Sequence, residues 1–354
     1  MVAIGAGFRS RGSASKGGFA ARRFRFSRSS VKIGRPPSIS GRAETEHEDE
    51  SLALYLAVDL GGTKTEYVLA DEAYELARVR GGTIKRMRTD ATTAEENFDQ
   101  AIRELEAKAA VSVRDVTRSC VGAAGVTVAL VTDWIRKIFA ERIGGSLILV
   151  GDVEIALDGA FFGGPGVLVM AGTGSNVAGR TAAGALTTAG GWGPALSDQG
   201  SGSRIGQQAL RDTALAVDEE RETTLLPAIL RLWDLKDFDD LVAFANRIPS
   251  PDLTKLAPVV VSCAAEGDAV AQGVLHREAE ELAHLARLVI DRLRRAEERP
   301  DWVPDLAFTG SILEHVAPIR EGIVEILRRD LPSLKVVPGM VDPTLGALWR
   351  ARHG

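Results

Sequence analysis

Two short glycine-rich segments hold the residue types that could grip a phosphate group. DLGGTKTE occupies 59–66 and GTGSN occupies 172–176, and each follows a short apolar run. Glycine has no Cβ, so backbone N–H groups in such turns can approach phosphate oxygens closely. One such turn is weak support. Two of them, with an acidic residue after the strand between them, predict a nucleotide phosphate held from both sides.

The first turn is predicted to belong to a β-hairpin. LALYLAV at 52–58 has the pattern of a core strand, Asp59 ends it, and TEYVLAD at 65–71 resumes strand character. A carboxylate at a strand end could meet a Mg²⁺ ion or its waters. A Walker A loop and a dinucleotide-binding fingerprint are excluded, because neither glycine pattern is present. An ordinary glycine-rich hairpin is the alternative.

The second turn is followed by a loop that could hold a sugar. GVLVMA at 166–171 predicts a strand before the turn, and GGWGPALSDQGSG at 190–202 follows it. This loop contains one aromatic residue, Trp192, and one carboxylate, Asp198, a common pair for holding a sugar ring. The alternative is a surface loop whose tryptophan packs on the core.

Asp152 stands where a general base would be useful. LILV at 147–150 predicts a strand, and Asp152 follows it where the helix containing EIALDGA would begin. A carboxylate there could accept the proton of an attacking hydroxyl group. The alternative is a helix N-cap, a role that aspartate often fills, and both roles could hold at once.

Taken in order, the motifs resemble those of one family. The chain resembles the BadF/BadG/BcrA/BcrD ATPase family, and within it the N-acetylglucosamine kinases, over about residues 52 to 352. That family belongs to the actin-like superfamily, which includes hexokinases and heat-shock chaperone ATPase domains. The matching motifs are DLGGTKTE, VGAAG (121–125), GDVEIALDGA (151–160), GTGSN, GGWGPALSDQGSG, LAFTGS (306–311) and DPTLGALWRA (342–351).

The resemblance implies a fold, a domain organisation and an activity. It implies an α/β fold of two actin-like ATPase (ribonuclease H-like) domains with ATP in the cleft between them. The predicted units are a disordered basic tail with an acidic linker (1–50), an N-terminal ATPase domain (51–150) and a C-terminal ATPase domain with a helical insertion (151–354). The implied activity is phosphorylation of N-acetylglucosamine or a glucosamine-like sugar, with ATP and Mg²⁺ as cofactors.

The resemblance also assigns roles to individual residues. Asp152 is implied as the catalytic base and Asp59 as the metal-binding residue. The residues implied to bind the nucleotide are Gly61, Gly62, Thr63, Lys64, Thr65, Gly172, Thr173, Gly174, Gly310 and Ser311. Those implied to lie near the sugar are Asn176, Gly191, Trp192, Gly193 and Asp198.

Two departures from the family pattern concern the substrate. Related kinases usually carry a sugar-contacting asparagine in the loop after the third strand, whereas residues 81–90 here contain Lys85, Arg86 and Arg88 and no asparagine. Gln199 also replaces a glutamate beside Asp198. One cation facing the substrate would favour an acidic amino sugar such as N-acetylmuramate. A solvated basic loop is the other interpretation.

Composition limits the partners. Residues 1–42 hold ten Lys or Arg and no acid, so the remainder carries 33 basic and 48 acidic residues. Such an acidic body disfavours nucleic acid as a partner. No apolar run is long enough for a membrane helix, and the mean hydropathy of +0.01 predicts a globular protein, expected in the cytoplasm. The basic segment resembles a transit peptide in composition. We prefer the interpretation that it is a dispensable tail or an over-extended start of the reading frame.

The residues give less support to three other function classes. Activator ATPases of the same family hold an iron–sulfur cluster, but Cys120 and Cys263 lie away from the phosphate turns and are expected to be buried thiols. A sugar-sensing regulator lacks support because no DNA-binding pattern precedes residue 51. A degenerate ATPase-fold scaffold is disfavoured by the retained acids and turns.

An apolar stripe from Leu275 to Leu293 predicts core packing, with a homodimer face as the alternative.

Overall fold

A computed structural model describes residues 53–354. The predictions for residues 1–50 therefore lie outside the described residues. The described residues form one compact unit, in which two β-sheets are flanked by helices. The further division of this unit into domains at residue 150 stays a prediction.

The first sheet has five strands in the order β3-β2-β1-β4-β5. The β1–β2 and β2–β3 pairs are antiparallel, and the β1–β4 and β4–β5 pairs are parallel. The predicted hairpin is confirmed, although β1 continues to Leu60, so Asp59 lies inside the strand rather than after it. The strands are β1 (Leu54–Leu60), β2 (Lys64–Ala70), β3 (Glu75–Gly82), β4 (Val116–Ala123) and β5 (Ser146–Val150).

The second sheet repeats this topology. Its order is β8-β7-β6-β9, again with two antiparallel pairs followed by a parallel one. A single parallel bridge from Leu306 to Val336 stands where the first sheet has its fifth strand. The two glycine turns therefore occupy equivalent hairpins, β1–β2 and β6–β7. The strands are β6 (Gly166–Ala171), β7 (Ser175–Arg180), β8 (Leu186–Gly190) and β9 (Leu306–Thr309).

Eleven α-helices lie within residues 53–354. The amphipathic helix predicted at 91–110 is confirmed as α1, and the segment 203–298 is mostly helical as predicted. No helix in this part of the chain is long and apolar enough to cross a bilayer. The helices are α1 (Ala91–Ala109), α2 (Ala129–Arg142), α3 (Asp152–Phe161), α4 (Gly202–Asp218), α5 (Leu225–Trp233), α6 (Phe238–Ala245), α7 (Ala257–Ala265), α8 (Ala269–Ala296), α9 (Ser311–His315), α10 (Ala317–Asp330) and α11 (Pro343–His353).

The first sheet is buried on both faces, which explains the unbroken apolar run in β1. Leu56 and Val58 join a cluster that includes Phe98 of α1. Tyr55 and Ala57 point the other way because successive strand residues alternate between faces, and they pack with α3 and α11.

The long helix α8 forms the centre of the second core. Leu275, Leu282, Val289 and Leu293 are all buried there against the second sheet and neighbouring helices. Core packing of this stripe is therefore confirmed, and the stripe is not available as a dimer face. Asp268 caps the helix as expected, accepting a hydrogen bond from the backbone N–H of Ala271 at 2.8 Å.

Helices α3 and α11 cross at very short range because glycines meet at the crossing. A Cβ added to Gly346 would lie 1.8 Å from the carbonyl oxygen of Ile155. A Cβ added to Gly159 would lie 2.7 Å from the carbonyl oxygen of Asp342. No larger residue fits at either position without moving a backbone, so this contact fixes α3 against the C-terminal helix.

A buried ion-pair network reinforces this crossing. Asp158 of α3 is fully buried and accepts a hydrogen bond from Arg180 of β7. Its other oxygen accepts a hydrogen bond from Nε of Arg350 in α11 at 2.6 Å. One carboxylate thus joins α3 to the second sheet and to the helix that packs on the first.

We expect Asp158→Ala to lower the free energy of unfolding by about 3–5 kcal/mol, because it leaves the buried Arg180 without its partner. Urea denaturation followed by circular dichroism measures the change. The control is Glu325→Ala, which removes an exposed partner of Arg329 and should cost less than about 1 kcal/mol. Equal effects of the two substitutions would contradict this role for Asp158.

Candidate active site

Two half-buried carboxylates, Asp59 and Asp152, lie close enough for their charges to interact. Asp59 sits near the end of β1, opposite Glu66 in the hairpin register. Burial, then the charges of Asp152, Glu66 and Asp342, raise the pKa of Asp59 from 3.8 to about 7. Lys64 partly offsets this effect. The structure therefore concentrates negative charge beside the first glycine turn.

Asp152 is the first residue of α3, and Gly151 is the N-cap. The sequence-based alternative that Asp152 caps the helix is therefore wrong. The Glu154 side chain accepts the Gly151 N–H at 2.8 Å, while Asp152 Oδ1 accepts only the N–H of the next residue, Val153, at 2.9 Å. Burial raises the pKa of Asp152, against the lowering effect of this hydrogen bond and of Lys85. A carboxylate with a raised pKa is a stronger base than one with the ordinary value.

The cluster around Asp59 fits a divalent cation. Three other acids act on its carboxyl group and Lys64 offsets them only in part, so its ionised form is incompletely compensated. Within residues 53–354, no three His, Cys, Asp or Glu side chains converge as a complete metal cage. Mg²⁺ commonly takes one or two protein carboxylates and completes its shell with water and phosphate oxygens. Asp59 is suited to that arrangement.

The first turn offers free backbone donors. Gly62, Thr63 and Lys64 are exposed, and within the described residues the N–H groups of Gly62 and Thr63 donate to no protein acceptor. Thr65 departs from its predicted role, because the strand alternation buries it completely. Its hydroxyl oxygen instead accepts a hydrogen bond from the Ile84 N–H at 3.3 Å and anchors the following loop.

The second turn also offers exposed backbone donors. Thr173 and Gly174 are exposed, and their N–H groups likewise have no acceptor among residues 53–354. Gly172 approaches the β9–α9 junction, since a Cβ added to it would lie 3.6 Å from Ser311 Oγ. Gly310 at that junction has φ +99° and passes so close to Ala171 that a Cβ would clash with its carbonyl oxygen. The predicted adenosine residues thus lie beside the second turn.

Asn176 and Asp198 present polar groups near this turn. Asn176 Oδ1 is buried without a hydrogen-bond donor in the described chain, and its amide lies 3.0 Å from the position of a Cβ on Gly191. Asp198 has a left-handed backbone (φ +65°), and one of its oxygens lies 3.0 Å from the position of a Cβ on Gly174. Strained backbone at a buried acid is typical of functional positions.

Trp192 does not pack on the core. Its side chain is 74% exposed, as is most of Leu196 in the same loop. The interpretation of a tryptophan folded onto the core is therefore wrong. Gly191 and Gly193 flank it with positive φ angles, so the loop turns outward on both sides of the indole. An exposed ring in that position is free to stack on a ligand.

Sequence reasoning missed Glu278 and Asp342. Glu278 of α8 is only 2% exposed, and it accepts the N–H of Gly200 at 2.6 Å, which fixes the end of the Trp192 loop. An acid in the middle of the apolar stripe of α8 was the available signal. Asp342, the N-cap of α11, adds its charge to the field at Asp59. An Asp before a Pro at the start of a helix predicts an N-cap, but it does not predict that Asp342 lies near Asp59.

The predicted residues therefore assemble into two groups. The first contains Asp59, Asp152 and the 61–65 turn, and the second contains the 172–176 turn, the 190–202 loop and Gly310–Ser311. Within residues 53–354 no hydrogen bond or ion pair joins the groups directly. Helix α3 connects them, because it begins at Asp152 and leads into β6, which ends at the second turn.

The family model of the BadF/BadG/BcrA/BcrD ATPase family matches residues 56–351. The chain belongs to this family. The predicted family and the α/β actin-like fold are therefore confirmed. Because the family is one of ATPases, the two free turns belong to a protein that uses ATP.

Individual proteins that are similar to this chain are named as amino-sugar kinases. The Clostridium acetobutylicum N-acetylmuramic acid/N-acetylglucosamine kinase is 27% identical over 305 residues, covering 84% of this chain and 97% of that protein. The N-acetyl-D-glucosamine kinase of Dictyostelium discoideum is 27% identical over 317 residues, with coverages of 84% and 97%. A solved structure from Chromobacterium violaceum, provisionally assigned as an N-acetylglucosamine kinase, has a TM-score of 0.65 at 25% identity and covers 84% of this chain and 98% of that one.

The buried Glu278 generates a pH-dependent stability prediction. Burial raises the pKa of this carboxyl above 4.5, against the lowering effect of the Gly200 N–H. Its ionisation therefore opposes folding increasingly as the pH rises above 4.5. Glu278→Gln keeps an acceptor for Gly200 and cannot ionise, so its free energy of unfolding relative to wild type should increase between about pH 4.5 and about pH 8.

Urea denaturation at both pH values measures this difference. Glu321→Gln, an exposed position on α10, controls for the loss of one charge. A relative stability of the Glu278 variant that stays constant or decreases with pH would contradict the burial argument.

Proposed function

We propose that the protein transfers the γ-phosphoryl group of ATP to a hydroxyl group of an amino sugar of the N-acetylglucosamine or glucosamine kind. The enzyme class, an ATP-dependent sugar kinase, rests on the ATPase family and on relatives that are named as sugar kinases. The observation that carries the proposal is the position of Asp152. It is a half-buried carboxylate with a raised pKa, and its charge acts on Asp59 in the strand before the first turn.

In the proposed reaction Asp152 accepts the proton of the sugar hydroxyl. The hydroxyl oxygen forms a bond to the γ-phosphorus, the bond from that phosphorus to the β–γ bridging oxygen breaks, and ADP leaves with the electron pair. Phosphoryl transfer needs little covalent chemistry from the protein, so positioning and charge neutralisation carry most of the catalysis. A Mg²⁺ ion at Asp59 would neutralise phosphate charge.

The remaining chain supplies orientation. The N–H groups of Gly62, Thr63, Thr173 and Gly174 lack acceptors in the described protein and would donate to phosphate oxygens. Gly310 and Ser311 would lie against the adenosine. Asn176, Asp198 and Trp192 would hold the sugar, with Asn176 Oδ1 accepting a hydrogen bond that no described protein group supplies. Closure around the substrates would exclude water, the competing acceptor.

Asp152→Asn tests the base directly. Asparagine keeps the size of the side chain and its place at the start of α3, but it cannot take the proton. We expect kcat to fall by about 10²-fold or more, in line with general-base contributions, while the affinity for ATP changes little. A coupled assay of ADP release measures kcat.

Asp133→Asn, which removes an exposed carboxylate on α2, is the control and should act at the wild-type rate. Turnover of the Asp152 variant at a similar rate to this control would show that the base lies elsewhere.

A second candidate substrate is an acidic amino sugar such as N-acetylmuramate. Lys85 is half-buried, and Asp152 attracts its ammonium group although burial lowers the pKa of Lys85 overall. This cation lies close enough to the proposed base to interact with its charge, so a sugar carboxylate bound beside Asp152 could meet it. The relative from Clostridium acetobutylicum carries both sugars in its name.

The ratio of kcat/KM for N-acetylmuramate to that for N-acetylglucosamine tests this candidate. Replacing Lys85 and Arg86 with Ala should lower the ratio by about 10-fold or more, the value expected for a lost charge-assisted contact. Because the ratio is taken within each variant, a general effect on Asp152 cancels. A wild-type enzyme that turns over the neutral sugar equally well or better would rule out the preference.

A further inference from the structure

The loop formed by residues 83–90 is fastened to the first glycine turn. The Thr83 hydroxyl donates to the carbonyl oxygen of Gly61 at 2.8 Å, and the Ile84 N–H donates to Thr65 Oγ1 at 3.3 Å. From the other side, the Asn97 side chain of α1 donates to the Thr83 carbonyl at 2.9 Å. These three contacts hold the start of the loop at a fixed position relative to the turn.

The loop then folds back over that turn. The N–H groups of Arg88 and Thr89 donate to the Lys85 carbonyl at 2.7 and 3.2 Å. This tight turn returns Arg88 to the first hairpin, where its Nε lies 3.9 Å from the position of a Cβ on Gly62. Asp90 ends the loop by capping α1 through the Thr93 N–H at 2.9 Å. The guanidinium group therefore lies beside a turn whose own N–H groups are free.

Arg88 forms no ion pair within the described part of the protein. Arg78 and Arg80 on the adjacent strand β3 both pair with Glu66. By contrast, no carboxylate among residues 53–354 lies within 4.0 Å of the Arg88 guanidinium. The group is exposed and held next to the phosphate turn by its loop, so it is free to bind an anion there.

We propose that Arg88 contacts the γ-phosphoryl group of ATP bound at the 61–63 turn and stabilises its negative charge during transfer. This inference rests on the proposed function and adds a catalytic residue to it. Arginine suits this role because its planar fork donates two parallel hydrogen bonds to phosphate oxygens. An arginine that meets the transferred group commonly contributes 10³-fold or more to kcat in other phosphoryl-transfer enzymes.

The test uses Arg88→Gln and Arg88→Lys in the full chain. We expect Arg88→Gln to lower kcat by about 10²-fold or more, and Arg88→Lys to fall between it and wild type because lysine keeps the charge but not the fork. The KM for the sugar should stay within about threefold. Arg103→Gln, which removes an exposed arginine of α1, is the matched control, and thermal melting checks that all variants fold.

A binding measurement separates a γ-phosphoryl contact from a structural role. By calorimetry in the presence of Mg²⁺, Arg88→Gln should lose affinity for ATP and for ADP with aluminium fluoride, while its affinity for ADP alone stays within about threefold of wild type. Equal losses for ADP and ATP, or a kcat within threefold of wild type, would overturn the inference. A change confined to the preference between acidic and neutral sugars would also overturn it, because Arg88 would then contact the sugar.

These measurements distinguish failure of the inference from failure of the proposed function. If wild type transfers phosphate to no sugar while the Arg88 variant still loses ATP affinity relative to ADP, the proposed function fails and the Arg88 contact stands. If wild type phosphorylates a sugar and the variant is unchanged in both assays, the contact fails and the function stands.

Discussion

The buried charge of Asp158 constrains the whole arrangement. A carboxylate taken out of water must be neutralised, and here Arg180 from the second sheet and Arg350 from the C-terminal helix do so. Both partners must therefore converge on the middle of α3. The glycine contact between α3 and α11 brings Arg350 within reach. Because Asp152 begins the same helix, its position follows from contacts made six residues further along.

The negative charge of Asp59 and Asp152 is a second electrostatic feature of the structure. Asp59 and Asp152 are both half-buried and both have raised pKa values, so the site carries negative charge that the protein neutralises only in part. The charge of Lys64 acts on Asp59 and that of Lys85 acts on Asp152, but neither lysine forms an ion pair with these acids among the described residues. Charged groups held apart in this way can each bind a ligand group. The carboxylates can meet a metal ion or a hydroxyl proton, and the basic side chains can meet phosphate or carboxylate oxygens.

Local patterns predicted much of this site. Short apolar runs located β1, β5 and β6, and the acid after β5 was recognisable from its position alone. Contacts between distant segments could not be predicted in the same way. Thr65 alternates into the interior because of its strand register, Glu278 meets a loop 78 residues away, and Trp192 faces outward. The repeated topology of the two sheets was also hidden, because a helix of 19 residues in one half corresponds to a five-helix segment in the other.

In the proposed reaction a sugar hydroxyl, and not water, accepts the phosphoryl group. The most direct measurement incubates the protein with ATP and Mg²⁺ and either N-acetylglucosamine or N-acetylmuramate, then quantifies ADP, phosphorylated sugar and inorganic phosphate by mass spectrometry and phosphorus NMR. We expect one phosphorylated sugar for each ADP formed, and little ADP when sugar is omitted. ADP and inorganic phosphate released at the same rate with and without sugar, and no phosphorylated sugar, would contradict it.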